Sequence, residues 1–243
     1  TERVGGIDGV ARAKRELVEA LPKSGVAVLN ADDDRVAAMA DHTGAQVLTF
    51  GRSGDIAVSG LSLDPSARPS FRASTPWGEA DVFVPVPGAH MAMNAAAAIA
   101  VGGTLGVALD DLVAGLAGAS VSGMRMEVAT APSGAMIVND AYNANPTSMK
   151  AALDALAAMA ASRRVAVLGR MGELDDSVAG HREVAEYAAS LGIELIATGV
   201  DDYGVAPVDD PVAALGTLGE GDVVLVKASR AAGLESLADA LLA

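Results

Sequence analysis

The chain has 243 residues, of which 51% are hydrophobic and 3% aromatic, with a formal net charge of −14 and no cysteine. That charge argues against a nucleic-acid backbone as partner, which needs clustered lysine and arginine. The missing cysteine excludes disulfides and zinc–thiolate sites and fits a reducing cytoplasm.

The length admits one or two domains, whose cores must be built from Ala, Val and Leu. Glu2, Arg3 and Asp8 stand where a secretory signal would need an apolar core. Residue 1 is Thr, so the chain is expected to be an excerpt. Leu17, Val18 and Leu21 recur at helical spacing and predict a helix over 7–21, stopped by Pro22. A short apolar strand follows over 25–29, then a helix over 35–40 and a strand over 46–50, the alternation of a parallel sheet.

The pattern then changes to strands over 56–63, 70–75 and 80–86, the last two joined as a hairpin by Pro76-Trp77-Gly78. Residues 91–109 carry no charge and approach bilayer-spanning length, but Asn94, Gly102, Gly103 and Gly106 mark a buried helix and a turn instead. Another helix is expected over 110–116. Residues 117–124 are small and flexible, and a domain boundary is placed there. Beyond it, buried strands over 135–138, 164–168, 195–197 and 223–226 alternate with helices near 147–161, 178–190, 210–216 and 231–242, a Rossmann-type pattern.

The most informative stretch is Asn139-Asp-Ala-Tyr-Asn-Ala-Asn-Pro146, a strand-to-helix turn. Ligands of open α/β folds sit where strands end and helices begin. Asp140, Tyr142, Asn143 and Asn145 suit a ribose and a flat base. Asp140 and Asn145 are equally the residues that cap turns and helices, and Pro146 fits the first helical position.

Lys14 shares a helical stripe with Val10, Leu17, Val18 and Leu21. A buried lysine loses its proton readily and can add carbon dioxide, making an oxygen ligand for magnesium. A buried stem with an emergent ammonium explains the spacing as well. His90 and Asn94 share a face at a helix start, where anions are favoured, and a cap with a satisfied amide is the alternative.

Arg125, flanked by Met124 and Met126, sits beside the flexible segment and can reach phosphates. Lys227, Ser229 and Arg230 follow a strand and suit a carboxylate or phosphate, or a solvated loop. Leu168-Gly-Arg-Met-Gly-Glu-Leu174 resembles a phosphate loop only in its glycines, and no Gly-x-x-x-x-Gly-Lys-[Ser/Thr] motif occurs in the chain. His181 lies on a face with Val184, Ala188 and Leu191, the setting of a packing histidine.

In order, these segments resemble the Mur ligases: 7–21 with Lys14, Val28-Leu-Asn-Ala-Asp-Asp33, 87–98, 139–149, and 167–174 with His181. Val226–Arg230 is similar to the family's Lys-Gly-Ser-Arg segment, with Ala228 for Gly. The run from Asp140 to Pro146 matches the branch that adds D-alanyl-D-alanine to UDP-N-acetylmuramoyl-tripeptide. The resemblance implies an α/β protein in which residues 1–122 are the C-terminal part of a P-loop-ATPase-like central domain without its P-loop. Residues 123–243 would form the Rossmann-like C-terminal domain.

It implies ATP and Mg2+ as cofactors, an acyl-phosphate route to the amide, and a cytoplasmic monomer with no membrane or nucleic-acid partner. By motif, Lys14 corresponds to a carbamylated metal-binding lysine, Asn94 and Tyr142 flank adenine, Asp140 holds ribose, and Arg125 faces the phosphates. Met91 stands where the family has asparagine, and Arg170 where an acid is common. The excerpt alone is expected to be inactive. A non-catalytic nucleotide- or partner-binding module is the alternative, and Tyr142-Asn143-Ala144-Asn145 argues against a folylpolyglutamate synthase.

Overall fold

The computed structural model describes residues 5–120, 122–172, 174 and 176–243. Glu2 and Arg3 of the signal reading, Val121 of the flexible segment and Glu173 of the glycine loop lie outside the described residues. Two compact units are present: residues 1–64 with 68–120, and 65–67 with 121–243.

The first unit opens with α1 (Gly6–Glu19), β1 (Val26–Asn30), α2 (Asp34–Ala37) and a 3-10 turn (Ala38–His42). Four strands follow: β2 (Gln46–Gly51), β3 (Ile56–Leu63), β4 (Pro69–Thr75) and β5 (Gly78–Phe83), then α3 (His90–Thr104) and α4 (Leu109–Ala117). The five strands form one sheet in sequence order, parallel as far as β3 and antiparallel beyond it. The antiparallel part is therefore a continuation of the parallel sheet.

The helix predicted over 35–40 is split. Asp33 caps α2 by accepting the amides of Arg35 and Val36, and the chain tightens to 3-10 geometry at Ala38. The helix α3 buries Ala92, Ala95, Ala96, Ile99, Ala100 and Gly103 against the sheet. Its small side chains allow close approach. At Gly103 even a Cβ atom would come within 2.2 Å of the Trp77 ring.

The second unit holds β6 (Glu127–Thr130), β7 (Met136–Asn139), α5 (Pro146–Ala158), β8 (Arg163–Leu168), α6 (Ser177–Ser190) and β9 (Glu194–Ala197). It closes with α7 (Pro211–Leu215), β10 (Asp222–Lys227), a 3-10 turn (Arg230–Ala232) and α8 (Glu235–Leu242). Strand order is β6-β7-β10-β8-β9, parallel except for β6 at the edge.

Ile137, Val165, Val167, Val224 and Val226 point to a core shared with Leu215 of α7 and Leu237 and Ala238 of α8. The alternate residues lie on the other side, where α5 packs on β8, β10 and α6. Both faces being covered explains the unbroken apolar runs of β8 and β10. The strand β6, which the sequence pattern does not reveal, is short and largely exposed.

Candidate functional site

In the second unit the carboxyl ends of β7, β10 and β8 gather three loops. The register pairs Asn139 with Val226 on neighbouring parallel strands, so the next residues, Asp140 and Lys227, are also neighbours. The Lys227 ammonium donates to Asp140 Oδ2 at 2.6 Å and to the Asn143 carbonyl at 2.8 Å. Asp140 Oδ1 accepts the Met126 amide at 3.1 Å, and the Asp140 amide donates to Val226 O. The Lys227 side chain is 3% exposed and that of Asp140 14%, so a buried ammonium meets a partly buried carboxylate and the pair is charge-neutral as a unit. Lys227 is turned inward, and its ammonium is engaged by the protein itself.

Tyr142 projects from this turn with 38% of its surface exposed. Its amide donates to Met124 O at 3.1 Å. The Arg125 guanidinium lies 4.0 Å from the ring centroid and that of Arg230 lies 5.6 Å away, both within cation–π range. Arg125 sits between Met124 and Met126, whose φ angles of 63° and 51° place them in the left-handed region. Such backbone is costly for residues other than glycine and clusters at functional sites. Asn143 is exposed, and its Oδ1 accepts the Ala144 amide.

Asn145 is the N-cap of α5. Its side chain accepts the Ser148 amide at 2.9 Å, and the Ser148 hydroxyl returns the bond to the Asn145 amide, with Pro146 at the first helical position. Ser229 joins the remaining loop: its Oγ accepts the Gly172 amide at 2.6 Å and donates to Ala144 O at 3.4 Å. Arg125, Arg170 and Arg230 are exposed on these loops. The strand ends thus present an exposed aromatic face and cationic side chains within a strongly acidic chain.

Behind this surface lies His181, fully buried. Its Nε2 accepts the Met171 amide at 2.9 Å and its Nδ1 donates to Ser177 O at 2.6 Å, which fixes the tautomer. Tyr203 meets the imidazole edge-on, with centroids 4.7 Å apart, and its hydroxyl donates to Gly169 O at 2.8 Å. Burial pushes the Tyr203 phenol well above its ordinary range. Both side chains hold the backbone of the loop after β8.

In the first unit His90 is the first residue of α3 and is half-buried. Its ring lies over Gly88, where a Cβ would come within 2.5 Å of the imidazole, so the close approach requires glycine. Asn94 is exposed one turn later, and its amide donates to the Met91 sulfur at 3.4 Å.

Lys14 is exposed, which fits the emergent ammonium and not the buried amine of the two readings. The residues of α1 that reach the core of Ala27, Leu29 and Met39 are Ala11 and Val18, and Leu17 is 71% exposed. The apolar face is therefore rotated away from Lys14. Among the described residues no group of three or more His, Asp or Glu forms a metal-holding cluster. No helix among them is long and apolar enough to cross a membrane.

Sequence reasoning missed the Met126 amide on Asp140, the bracing of Asn143 by Lys227, and the approach of Arg230 to Tyr142. The only signal for these contacts is the adjacency of β7 and β10, which local patterns do not carry.

Comparison with known proteins places both units. The Mur ligase middle domain model matches residues 1–102, and the model of the Mur ligase, glutamate ligase domain matches residues 124–230. The chain is 40% identical to the UDP-N-acetylmuramoyl-tripeptide–D-alanyl-D-alanine ligase of Mycobacterium tuberculosis over 98% of its own length and 55% of that protein. It resembles crystal structure I of MurF from Acinetobacter baumannii with a TM-score of 0.87 at 30% identity, covering 98% of this chain and 56% of that one. MurF ligase from Thermotoga maritima, solved in complex with ADP, gives a TM-score of 0.85 at 25% identity, covering 97% and 57%. The chain thus spans about half the length of the relatives it matches.

Proposed function

The chain belongs to the Mur ligase family, and on that premise we propose that it carries the nucleoside-facing part of an ATP-dependent ligase that joins D-alanyl-D-alanine to UDP-N-acetylmuramoyl-tripeptide. The observation that supports this reading is the half-exposed Tyr142 ring beside two guanidinium groups at the carboxyl ends of parallel strands. Arginine and tyrosine faces bind flat bases through stacking. Strand ends of open α/β sheets are where such ligands sit.

In this reading Tyr142 contacts the adenine. The exposed edge of Asp140 accepts ribose hydroxyls while Lys227 and the Met126 amide hold its carboxylate. Arg125 releases Tyr142 to meet phosphate oxygens, and Arg230 keeps the loop cationic for an anionic substrate.

ATP transfers its γ-phosphoryl group to the peptide carboxylate with release of ADP, and the amine of the dipeptide then attacks the acyl carbon and displaces inorganic phosphate. Magnesium, which family membership implies, finds no ligand set among the described residues, and Lys14 is a single exposed amine.

Titration of the 243-residue chain with ADP, followed by NMR, tests the reading. Saturable binding that Tyr142→Ala weakens by about tenfold or more, the loss of one stacking partner, is expected. A titration with no shifts, or one indifferent to Tyr142, overturns it. Because the sequence contains no P-loop motif, the chain assayed with ATP, tripeptide precursor and dipeptide is expected to release no phosphate above background.

A further inference from the structure

Lys227 is the only charged side chain that is buried among the described residues, with 2% of its surface exposed. It is too deep to meet a solute, yet it lies directly behind the surface of the candidate site. We propose that Lys227 is a positioning residue for the nucleoside-facing turn, acting through Asp140 and Asn143; the proposal rests on the nucleotide reading above.

The β7–β10 register delivers the ammonium to the start of the turn. An ammonium has three diverging N–H donors. Two of them reach Asp140 Oδ2 at 2.6 Å and the Asn143 carbonyl at 2.8 Å, the residues on either side of Ala141 and Tyr142. One side chain therefore ties down both ends of the segment that displays the tyrosine. The Met124 carbonyl holds the Tyr142 amide between them.

The same contact sets the plane of the Asp140 carboxylate. With Oδ1 on the Met126 amide and Oδ2 on Lys227, each oxygen keeps a further lone pair, and 14% of the side chain is exposed. A carboxylate fixed in this way can accept from hydroxyl groups without first losing rotational freedom, which is the usual gain of a preorganised site. Neither a neutral chain of equal length nor a shorter amine reproduces both bonds.

Ser229, two residues on, extends the arrangement by linking the Gly172 amide to the Ala144 carbonyl. The Lys227–Ser229 stretch thus braces two loops from within, and Arg230 is its first side chain to reach the surface near Tyr142.

The test is a binding cycle on the full 243-residue chain with ADP as the probe. Wild type, Lys227→Met, Asp140→Asn and the double variant are titrated side by side. Lys227→Met is expected to weaken ADP by about tenfold, equivalent to about 1.4 kcal/mol. The double variant is expected to lose clearly less than the product of the two single losses, because the part of the Lys227 effect that runs through Asp140 is absent once that partner is gone.

Removing both charges leaves no unpaired buried ion, so the double variant keeps the test available even where Lys227→Met alone does not fold. Rescue supplies a second readout. The chain has no cysteine, so Lys227→Cys can be aminoethylated at that one position in denaturant and refolded. Restored ammonium is expected to return ADP affinity to within about threefold of wild type, a smaller gap than the tenfold loss.

Multiplying losses in the double variant, unchanged affinity in Lys227→Met, or a failed rescue overturns the role of Lys227 while leaving the nucleotide reading standing. Absence of ADP binding by the wild-type chain overturns both and shows itself in the first titration.

Discussion

Both units carry solvent-exposed ion pairs, but among the described residues only the second also buries a charged side chain. In the first, the ion pairs Asp8–Arg35, Asp32–Arg52 and Arg72 with Glu79 and Asp81 all involve exposed arginines. In the second, Asn139, His181 and Lys227 are buried, and they are the buried polar or charged residues of the described chain. Water screens the first kind, so those pairs add little to stability. The second kind is costly to desolvate and persists only when every polar atom has a partner. Its value lies in holding one backbone arrangement, and the arrangement held here is that of the loops at the carboxyl ends of β7, β8 and β10.

The contrast breaks most sharply at Lys227. Lys227→Met leaves the partly buried Asp140 carboxylate without its counter-ion, and a loss of about 3 kcal/mol, the low end for breaking a buried pair, is expected in urea denaturation. A loss below about 1 kcal/mol would place this pair with the surface pairs.

Next in size is His181→Ala, which strands the Met171 amide and opens a void beside Tyr203. About 2–3 kcal/mol is expected from the unmade bonds and the cavity together. Hydrogen exchange should show the Met171 amide deprotected ahead of the sheet.

Tyr203→Phe is milder, about 1 kcal/mol for the bond to Gly169 O, but it sharpens the comparison through pH. Burial raises the phenol above its ordinary value, so the native state holds the proton more tightly than the unfolded chain. The stability this confers is complete below about pH 10 and is lost as pH climbs beyond it. The wild type should therefore weaken in alkali more steeply than Tyr203→Phe, as followed by urea midpoints from pH 8 to 11. Parallel curves would refute the assignment.

How far the sequence revealed this depended on the range of each interaction. The strands β8 and β10 were legible because burial on both faces leaves an unbroken apolar run. The N-cap at Asn145 was legible because Pro146, which fits the first helical position, follows it directly. Lys14 was placed on the wrong face because Leu17 suggested a stripe that the structure leaves exposed, while Ala11, too small to stand out in a hydrophobic pattern, reaches the core. The strand β6 was missed because Glu127-Val-Ala-Thr130 has an edge strand's weak alternation. The Lys227–Asp140 pair joins residues 87 apart in sequence. Only the order of the strands brings them together, and strand order is a property of the whole sheet.

The smallest expected effect lies in the first unit, at Arg72. The β4–β5 register sets Arg72 directly opposite Asp81, with Glu79 two residues along the same strand. The guanidinium bonds both carboxylates, at 2.9 Å to Glu79 and 3.0 Å to Asp81, which raises its already high pKa. By geometry this is a better-connected ion cluster than Lys227 and Asp140. Yet Asp81 is 83% and Glu79 59% exposed, so water solvates each charge whether or not the arginine is present. Arg72→Ala should consequently leave the urea midpoint of the first unit unchanged at physiological salt, with a difference emerging only as ionic strength is lowered. A loss at physiological salt comparable to that of Lys227→Met would mean that contact geometry, and not burial, decides what an ion pair contributes in this chain.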